Sequence, residues 1–131
     1  MNGKKAFSSR MKVLVVESNQ PLAGIWQKHL ERHGVEVVLA SGYDDATDNL
    51  READFNVLIL DAALEDGSAL SVADFASYRR PECDVIFVSK NSFFSDGSIF
   101  QLCANARAHV SSATKPEDLA TMVLHYGQRN S

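Results

Sequence analysis

Two acidic residues each follow a run of aliphatic residues. Glu17 comes directly after Val13–Val16, and Asp61 comes directly after Val57–Leu60. Such runs are typical of strands that are buried on both faces in a parallel sheet. Open α/β sheets bind ligands at the carboxyl ends of their strands, so a carboxylate at that place is a candidate functional group. We therefore expect Glu17 and Asp61 to line one shared acidic pocket.

Strands and helices alternate along the chain and would position these two acids. Hydrophobic patterning predicts strands at Lys12–Glu17, Val35–Ala40, Val57–Leu60, Asp84–Ser89 and Ala108–Ser111. Helices are predicted from Pro21 to Gly34, at Asp44–Glu52, Ser68–Arg79 and Ile99–Ala104, and from Pro116 onward. This alternation predicts an α/β fold, a doubly wound, five-stranded parallel sheet with helices on both faces. Glu36 interrupts the second strand, which we therefore place near an edge of the sheet.

The predicted helices carry apolar stripes that would face the sheet. On the first helix the stripe comprises Leu22, Ile25, Trp26 and Leu30. On the third helix Leu70 is a candidate core contact. Packing of these stripes on the sheet would give a layered core.

Length and composition indicate a single globular domain. The chain has 131 residues, of which 45% are hydrophobic. A domain of this length buries enough surface to form a core without disulfide bonds or bound metals. The net charge of -4 argues against direct nucleic-acid binding, because phosphate contacts require clustered Lys and Arg. No apolar stretch approaches the ~18 residues of a membrane span, so we expect no membrane association.

The expected organisation is a disordered, basic lead at residues 1–10 followed by one domain at residues 11–131. The lead lacks the apolar core of a signal peptide. Cys83 and Cys103 have no motif spacing, so we expect reduced thiols that are buried or half-buried. These features together predict a cytoplasmic protein.

Five segments follow one another along the chain: Val15–Asn19, Leu60–Gly67, Ile86–Ser89, Asn105–Arg107 and Pro116–Leu119. In these segments, taken in this order and spacing, the chain resembles the receiver domain of bacterial two-component response regulators. The resemblance runs from about Met11 to Tyr126. It implies the flavodoxin-like receiver fold with strand order 2-1-3-4-5. That order would bring the carboxyl ends of the first, third, fourth and fifth strands to one pocket.

The resemblance implies that Asp61 accepts a phosphoryl group from a histidine kinase or a phosphotransfer protein. It also implies that Mg²⁺ is held by Glu17, by Asp61 and by the backbone carbonyl of Ala63. In the family a second acid follows the first one after strand one, but Ser18 occupies that position here. A neutral hydroxyl is a poorer Mg²⁺ ligand than a carboxylate, so we expect Mg²⁺ to bind weakly or not at all.

The positions that contact phosphate in the family also differ here. The family's lysine after strand five pairs with phosphoryl oxygens and aligns with Ser112. Lys115 takes that position only if the loop shifts by three residues, and both assignments remain open. Ser89 matches the hydroxyl position that moves toward the phosphoryl group, and Lys90 follows it where a small residue is usual. His109 takes the position of the aromatic switch residue.

Two functions are compatible with these residues. The first is a receiver that accepts phosphate on Asp61, which Asp61 and Glu17 favour. The second is a pseudo-receiver, a protein-interaction module that signals without phosphorylation, which Ser18 and Ser112 favour. Neither is an enzyme, and a hydrolase of the haloacid dehalogenase type would need a second acid where Ala63 stands.

The resemblance also implies a partner surface. In the family, the face formed by the fourth helix, the fifth strand and the fifth helix transmits the signal to dimers or targets. Here that face would include His109 and parts of the segments Phe93–Phe100 and Pro116–Tyr126. Phe93 and Phe94 would form an apolar contact patch if they are exposed. We therefore expect a homodimer or a partner complex through this face.

Overall fold

The computed structural model describes residues 11–90 and 106–128 of the chain. The expected lead at residues 1–10 and the predicted helix at Ile99–Ala104 lie outside this part. The strands are β1 (Lys12–Val16), β2 (Glu36–Ala40), β3 (Val57–Asp61), β4 (Asp84–Ser89) and β5 (Ala106–Ser111). The helices are α1 (Gln20–Glu31), α2 (Tyr43–Glu52), α3 (Ala69–Arg79) and α4 (Pro116–Gln128).

The five strands form one parallel sheet in the order β2-β1-β3-β4-β5. This order confirms the expected receiver topology and places β2 at an edge. Val16 pairs with Leu60, and Ser89 pairs with Ser111. All carboxyl ends meet at one edge of the sheet, so the residues that follow the strands lie side by side there.

Alternate residues of the strands pack into two hydrophobic layers, because successive side chains of a strand point to opposite faces. One face packs on α2 and α3, and the other packs on α1 and α4. The central strands are buried on both faces, and Leu14, Leu58 and Phe87 are among the largest fully buried side chains. Cys83 is buried as predicted, whereas Cys103 lies outside the described residues. No helix in the described ranges is long and apolar enough to cross a membrane.

The start of α1 is fixed by Asn19, whose side-chain oxygen accepts a hydrogen bond from the N–H of Leu22 at 3.1 Å. Pro21 lies in the first turn, where its missing N–H costs nothing. The helix ends at Glu31, before Gly34, whose φ of +80° a side chain would strain. The predicted helix therefore extended slightly too far at its carboxyl end.

Two apolar residues predicted to face the core are exposed. Ile25 on α1 is 45% exposed and Leu70 on α3 is 43% exposed. Both predictions were wrong because the buried stripes run one position away, through Trp26 on α1 and Ala69 on α3. One residue of offset turns a side chain by about 100° around a helix axis.

Strand β5 begins two residues earlier than predicted, at Ala106. The pairing shifts between Val85 and Ile86, so that Arg107 is an extra residue on β5. Its Nε donates to Oδ1 of Asp84 at 2.8 Å, and the Asp84 side chain is almost fully buried. This charged bulge has no apolar alternation, so the hydrophobic pattern did not predict it.

Candidate functional site

The two acids singled out in the sequence lie together at the carboxyl edge of the sheet. Glu17 follows β1 and is 5% exposed, while Asp61 ends β3 and is partly buried. Their side chains are hydrogen-bonded to each other. Two carboxyl groups can form such a bond only if one of them carries a proton.

Burial and the hydrogen bond to Asp61 raise the pKa of Glu17 to about 7. The N–H of Asn19 and the positive charge of Lys90 act in the opposite direction. The raised pKa favours the protonated, neutral form of Glu17 beside Asp61. Both groups remain at the edge of an open cleft.

Backbone groups orient both carboxyl groups. The N–H of Asn19 donates to Oε2 of Glu17 at 3.0 Å. The N–H of Ala63 donates to Oδ1 of Asp61 at 2.9 Å. Gln20 donates from its side-chain amide to the Glu17 carbonyl at 2.7 Å, which ties the end of β1 to the start of α1. These contacts hold the acids in place before any ligand binds.

The acids open onto a cleft of about 280 Å³. Its lining comes from the loops after β1, β3, β4 and β5 and from α1. The lining residues are Glu17, Ser18, Asn19, Leu22, Asp61, Ala63, Glu65, Lys90 and Ser112. Six of the residues proposed from the sequence are therefore in one place. Asn19, Leu22 and Glu65 also line the cleft, although the sequence analysis gave them no role in the site.

Two further residues proposed from the sequence do not line this cleft. Ser89, the last residue of β4, is 4% exposed, and its carbonyl accepts a hydrogen bond from the N–H of Ser112 at 2.9 Å. His109 lies on β5, opposite Phe87, and is partly buried. Ser89 directly precedes Lys90, and His109 lies three residues before Ser112, and both Lys90 and Ser112 line the cleft.

Ser18 joins three loops. Its hydroxyl accepts a hydrogen bond from the N–H of Glu65 at 3.0 Å and donates to the carbonyl of Ser41 at 3.4 Å. These partners belong to the loops after β3 and β2, while Ser18 follows β1. The residue at the family's second acidic position thus has a structural role in these contacts.

The end of β5 distinguishes the two residues considered for the missing lysine. Ser112 lines the cleft, directly after the paired residues Ser89 and Ser111. Lys115 is exposed and does not line the cleft. Its carbonyl accepts the N–H of Leu119 at 3.0 Å, so Lys115 stands at the start of α4.

The other acids near this edge stabilise loops. Asp45 accepts the N–H groups of Ser41 at 2.9 Å and Gly42 at 3.0 Å. Partial burial raises the pKa of Asp45, but these donors lower it by more, so that the pKa lies below its usual value. The hydroxyl of Ser68 and the N–H of Tyr43 lower the pKa of Asp66 in the same way. Asp45 therefore caps the loop before α2, and Asp66 connects the loop after β3 to the start of α2.

The donor set at the cleft is compatible with Mg²⁺. Across residues 11–90 and 106–128 there is no group of three or more His, Cys, Asp or Glu side chains that could hold a metal. Glu17 and Asp61 provide two carboxyl groups in contact, held together by a proton that a cation could replace. Mg²⁺ is commonly bound by one or two carboxylates together with substrate phosphate and water, which this pair can provide.

Comparison with known families identifies the class of protein. The family model described as the response regulator receiver domain matches residues 13–124. The chain therefore belongs to the response regulator receiver family, as the motifs indicated. A comparison with curated protein sequences gave no match.

Solved structures support the same fold. A CheY-like receiver domain protein from Methanospirillum hungatei JF-1 has a TM-score of 0.84 and 23% identity, over 93% of this chain and 97% of that one. A response regulator from Burkholderia pseudomallei, solved with a phosphorylated aspartic acid, a calcium ion and citrate, has a TM-score of 0.78 and 19% identity, over 91% and 69%. The BeF3-activated receiver domain of DrrB, from Thermotoga maritima, has a TM-score of 0.78 and 25% identity, over 92% and 99%.

Proposed function

We propose that the chain is a receiver domain that accepts a phosphoryl group on Asp61 at a weakened site. The observation that carries this proposal is the Asp61 carboxylate at the end of β3, oriented by the N–H of Ala63 and open to the cleft. The donor is a histidine kinase or a phosphotransfer protein. The N–P bond of a phosphohistidine breaks, a bond forms between phosphorus and an Asp61 oxygen, and the histidine leaves.

The residues of the cleft have different roles in the proposed phosphoryl transfer. Asp61 is the nucleophile, because its carboxyl group ends β3 at the cleft and is oriented by the N–H of Ala63. Mg²⁺ would be held by Glu17, Asp61 and the Ala63 carbonyl, and it would supply positive charge to the phosphoryl oxygens. Two carboxylates and an already engaged Ser18 hydroxyl support weak metal binding.

The switch residues of the family have counterparts on the neighbouring strands. We assign Ser89 as the hydroxyl that responds to the phosphoryl group and His109 as the switch residue. Ser89 pairs with Ser111 and His109 pairs with Phe87, so both lie on the β4–β5 pair. A change at the end of β4 would therefore be passed directly to β5. We propose that partners bind to a face that contains β5 and α4. The segment Phe93–Phe100, which was also expected on this face, lies outside the described residues.

A pseudo-receiver is the second candidate function. Ser18 is hydrogen-bonded between two loops, and Ser112 lines the cleft where the resemblance implies a lysine. In this case the domain would bind its partner, or a second copy of itself, without a change at Asp61. Neither candidate gives the chain an enzymatic activity of its own.

Phosphorylation by acetyl phosphate separates the two candidates. The full chain is incubated with acetyl phosphate and Mg²⁺, and its intact mass is followed over time. The proposal predicts slow addition of one phosphoryl group, absent in Asp61→Asn. The matched control is Asp74→Asn, which makes the same change at an exposed position on α3 and should behave as the wild type. A wild type that remains unmodified at saturating acetyl phosphate would favour the pseudo-receiver.

A further inference from the structure

The cleft around Asp61 has an unusual distribution of charge. Of the described residues that line it, Glu17, Asp61 and Glu65 are acidic and Lys90 is the only Lys or Arg. A phosphoryl group on Asp61 would add further negative charge beside Glu17. Opposite charge has to reach the new group for the phosphorylated state to form readily.

The sheet places Lys90 between the acceptor and the end of β5. Strand β4 lies between β3 and β5, and Lys90 is the first residue after β4. The N–H of Ala62 donates to the carbonyl of Val88 at 2.8 Å, and the N–H of Ser112 donates to that of Ser89 at 2.9 Å. These bonds tie the last two residues of β4, directly before Lys90, to the chain segments that follow β3 and β5.

Lys90 shares the cleft with the acidic pair. Lys90, Glu17 and Asp61 all line it, so a ligand that reaches the two carboxyl groups also comes within range of the ammonium group. Lys90 is exposed and has a flexible four-carbon stem, so its ammonium group can follow a ligand in the cleft. Ser112 carries no charge, and Lys115 lies at the start of α4, away from the lining.

We propose that Lys90 supplies, from the end of β4, the positive charge that pairs with the phosphoryl group on Asp61. The inference rests on the proposed phosphorylation of Asp61 and adds the group that stabilises it. In the phosphorylated state the ammonium group contacts phosphoryl oxygens. In the unphosphorylated state it faces the same two carboxyl groups as Mg²⁺ and repels the metal. Removal of Lys90 therefore has two consequences of opposite sign.

The test compares Lys90→Ala with Lys115→Ala, which removes the same charge from an exposed loop position outside the cleft. In acetyl phosphate the acyl O–P bond breaks, phosphorus bonds to an Asp61 oxygen, and acetate leaves. The rate of phosphoryl addition, followed by intact mass, should fall about tenfold or more in Lys90→Ala. Lys90→Arg should retain most of the rate, and Lys115→Ala should equal the wild type.

The second measurement is calorimetric titration of the same variants with Mg²⁺. The affinity for Mg²⁺ should rise about two- to fivefold in Lys90→Ala, because an exposed positive charge no longer repels the metal. It should not change in Lys115→Ala. A misfolded variant would lose both properties, so the opposite signs are specific to the proposed role.

The possible failures can be told apart. A wild type that is phosphorylated at the same rate as Lys90→Ala would overturn this inference and leave the proposed function standing. Equal losses in Lys90→Ala and Lys115→Ala would also overturn it, because the effect would then be one of net charge. If neither the wild type nor any variant takes up a phosphoryl group, the inference and the proposed function fail together.

Discussion

The carboxyl groups of Glu17 and Asp61 are hydrogen-bonded to each other at the adjoining ends of β1 and β3. Strand pairing brings Glu17 next to Asp61, because Val16 pairs with Leu60. Since Glu17 is almost fully buried, its ionisation would place a second negative charge beside Asp61 at a poorly solvated position. The proton that links the pair is therefore retained until the pH approaches about 7.

Stability should depend on pH through Glu17. Its pKa rises from 4.5 to about 7 on folding, so the folded state binds more protons than the unfolded state between these values. The stability contributed by the protonated side chain is complete below about pH 4.5 and is lost as the pH rises to about 7. We expect the free energy of unfolding to fall by about 1–3 kcal/mol over this interval because of Glu17.

Urea denaturation of wild type and Glu17→Gln at several pH values tests this expectation. Glutamine retains a donor for Asp61 but does not titrate, so the variant should lose this part of the pH dependence. At pH 8 it should be more stable than the wild type. Glu52→Gln, at an exposed position at the end of α2, is the matched control. Identical pH profiles for wild type and Glu17→Gln would contradict a shared proton.

Mg²⁺ binding should be weak and should increase with pH. The metal replaces the proton on Glu17, so affinity should rise until the pH passes about 7 and then become constant. Calorimetric titration at several pH values measures this, with Asp61→Asn expected to abolish binding. Asp74→Asn, at an exposed position on α3, should leave the profile unchanged. Mg²⁺ affinity in the micromolar range would be inconsistent with a two-carboxylate site. Affinity independent of pH would be inconsistent with the replacement of a proton on Glu17.

Much of this site could be predicted from the sequence because its frame is local. The aliphatic runs before Glu17 and Asp61 indicated two buried parallel strands, and the structure places the two acids together where those strands end. The strand order came from the resemblance and is confirmed. The positions of Lys90 and Ser112 on the cleft follow from the same register.

The remaining features depend on contacts between distant parts of the chain. The hydroxyl of Ser18 has partners 23 and 47 residues away, and no local pattern indicates either of them. Ile25 and Leu70 were assigned to the core because they are apolar, although the adjacent residues Trp26 and Ala69 are the ones buried. Arg107 enters β5 through a bulge that Asp84 stabilises, which alternation of apolar residues cannot reveal.

Substitutions at Ser18 should separate its structural contacts from metal binding. Ser18→Ala removes the acceptor for the N–H of Glu65 and should lower the free energy of unfolding by about 0.5–1.5 kcal/mol, with little change in Mg²⁺ affinity. Ser18→Asp retains an acceptor and adds a third carboxylate, so it should strengthen Mg²⁺ binding. Without metal it should be less stable than the wild type, because it adds negative charge near Glu17 and Asp61.

Urea denaturation with and without Mg²⁺ measures both effects in one series. The stabilisation by Mg²⁺ should be largest in Ser18→Asp, intermediate in wild type and absent in Asp61→Asn. Equal Mg²⁺ affinity in Ser18→Asp and wild type would show that position 18 does not face the metal, and that its only role is the connection between the loops.

A lysine introduced at position 112 should restore rapid phosphorylation. Ser112 lines the cleft and its N–H is fixed to the carbonyl of Ser89, so the side chain of Ser112→Lys would leave the end of β5 toward Asp61. Its ammonium group would add positive charge for the phosphoryl oxygens. We expect acetyl phosphate to modify Ser112→Lys about tenfold faster than the wild type, because one added donor would stabilise the charge that develops during transfer.

The same substitution should make Lys90 dispensable. If both lysines serve the phosphoryl group, Lys90→Ala should slow the wild type strongly but slow Ser112→Lys only slightly, which intact-mass kinetics of the four proteins would show. Ser112→Gln, which is long but uncharged, is the control for side-chain size. A wild type that is modified rapidly and loses this activity in Lys115→Ala would instead place the family's lysine at Lys115, three residues further along the chain, and the assignment of Ser112 would be wrong.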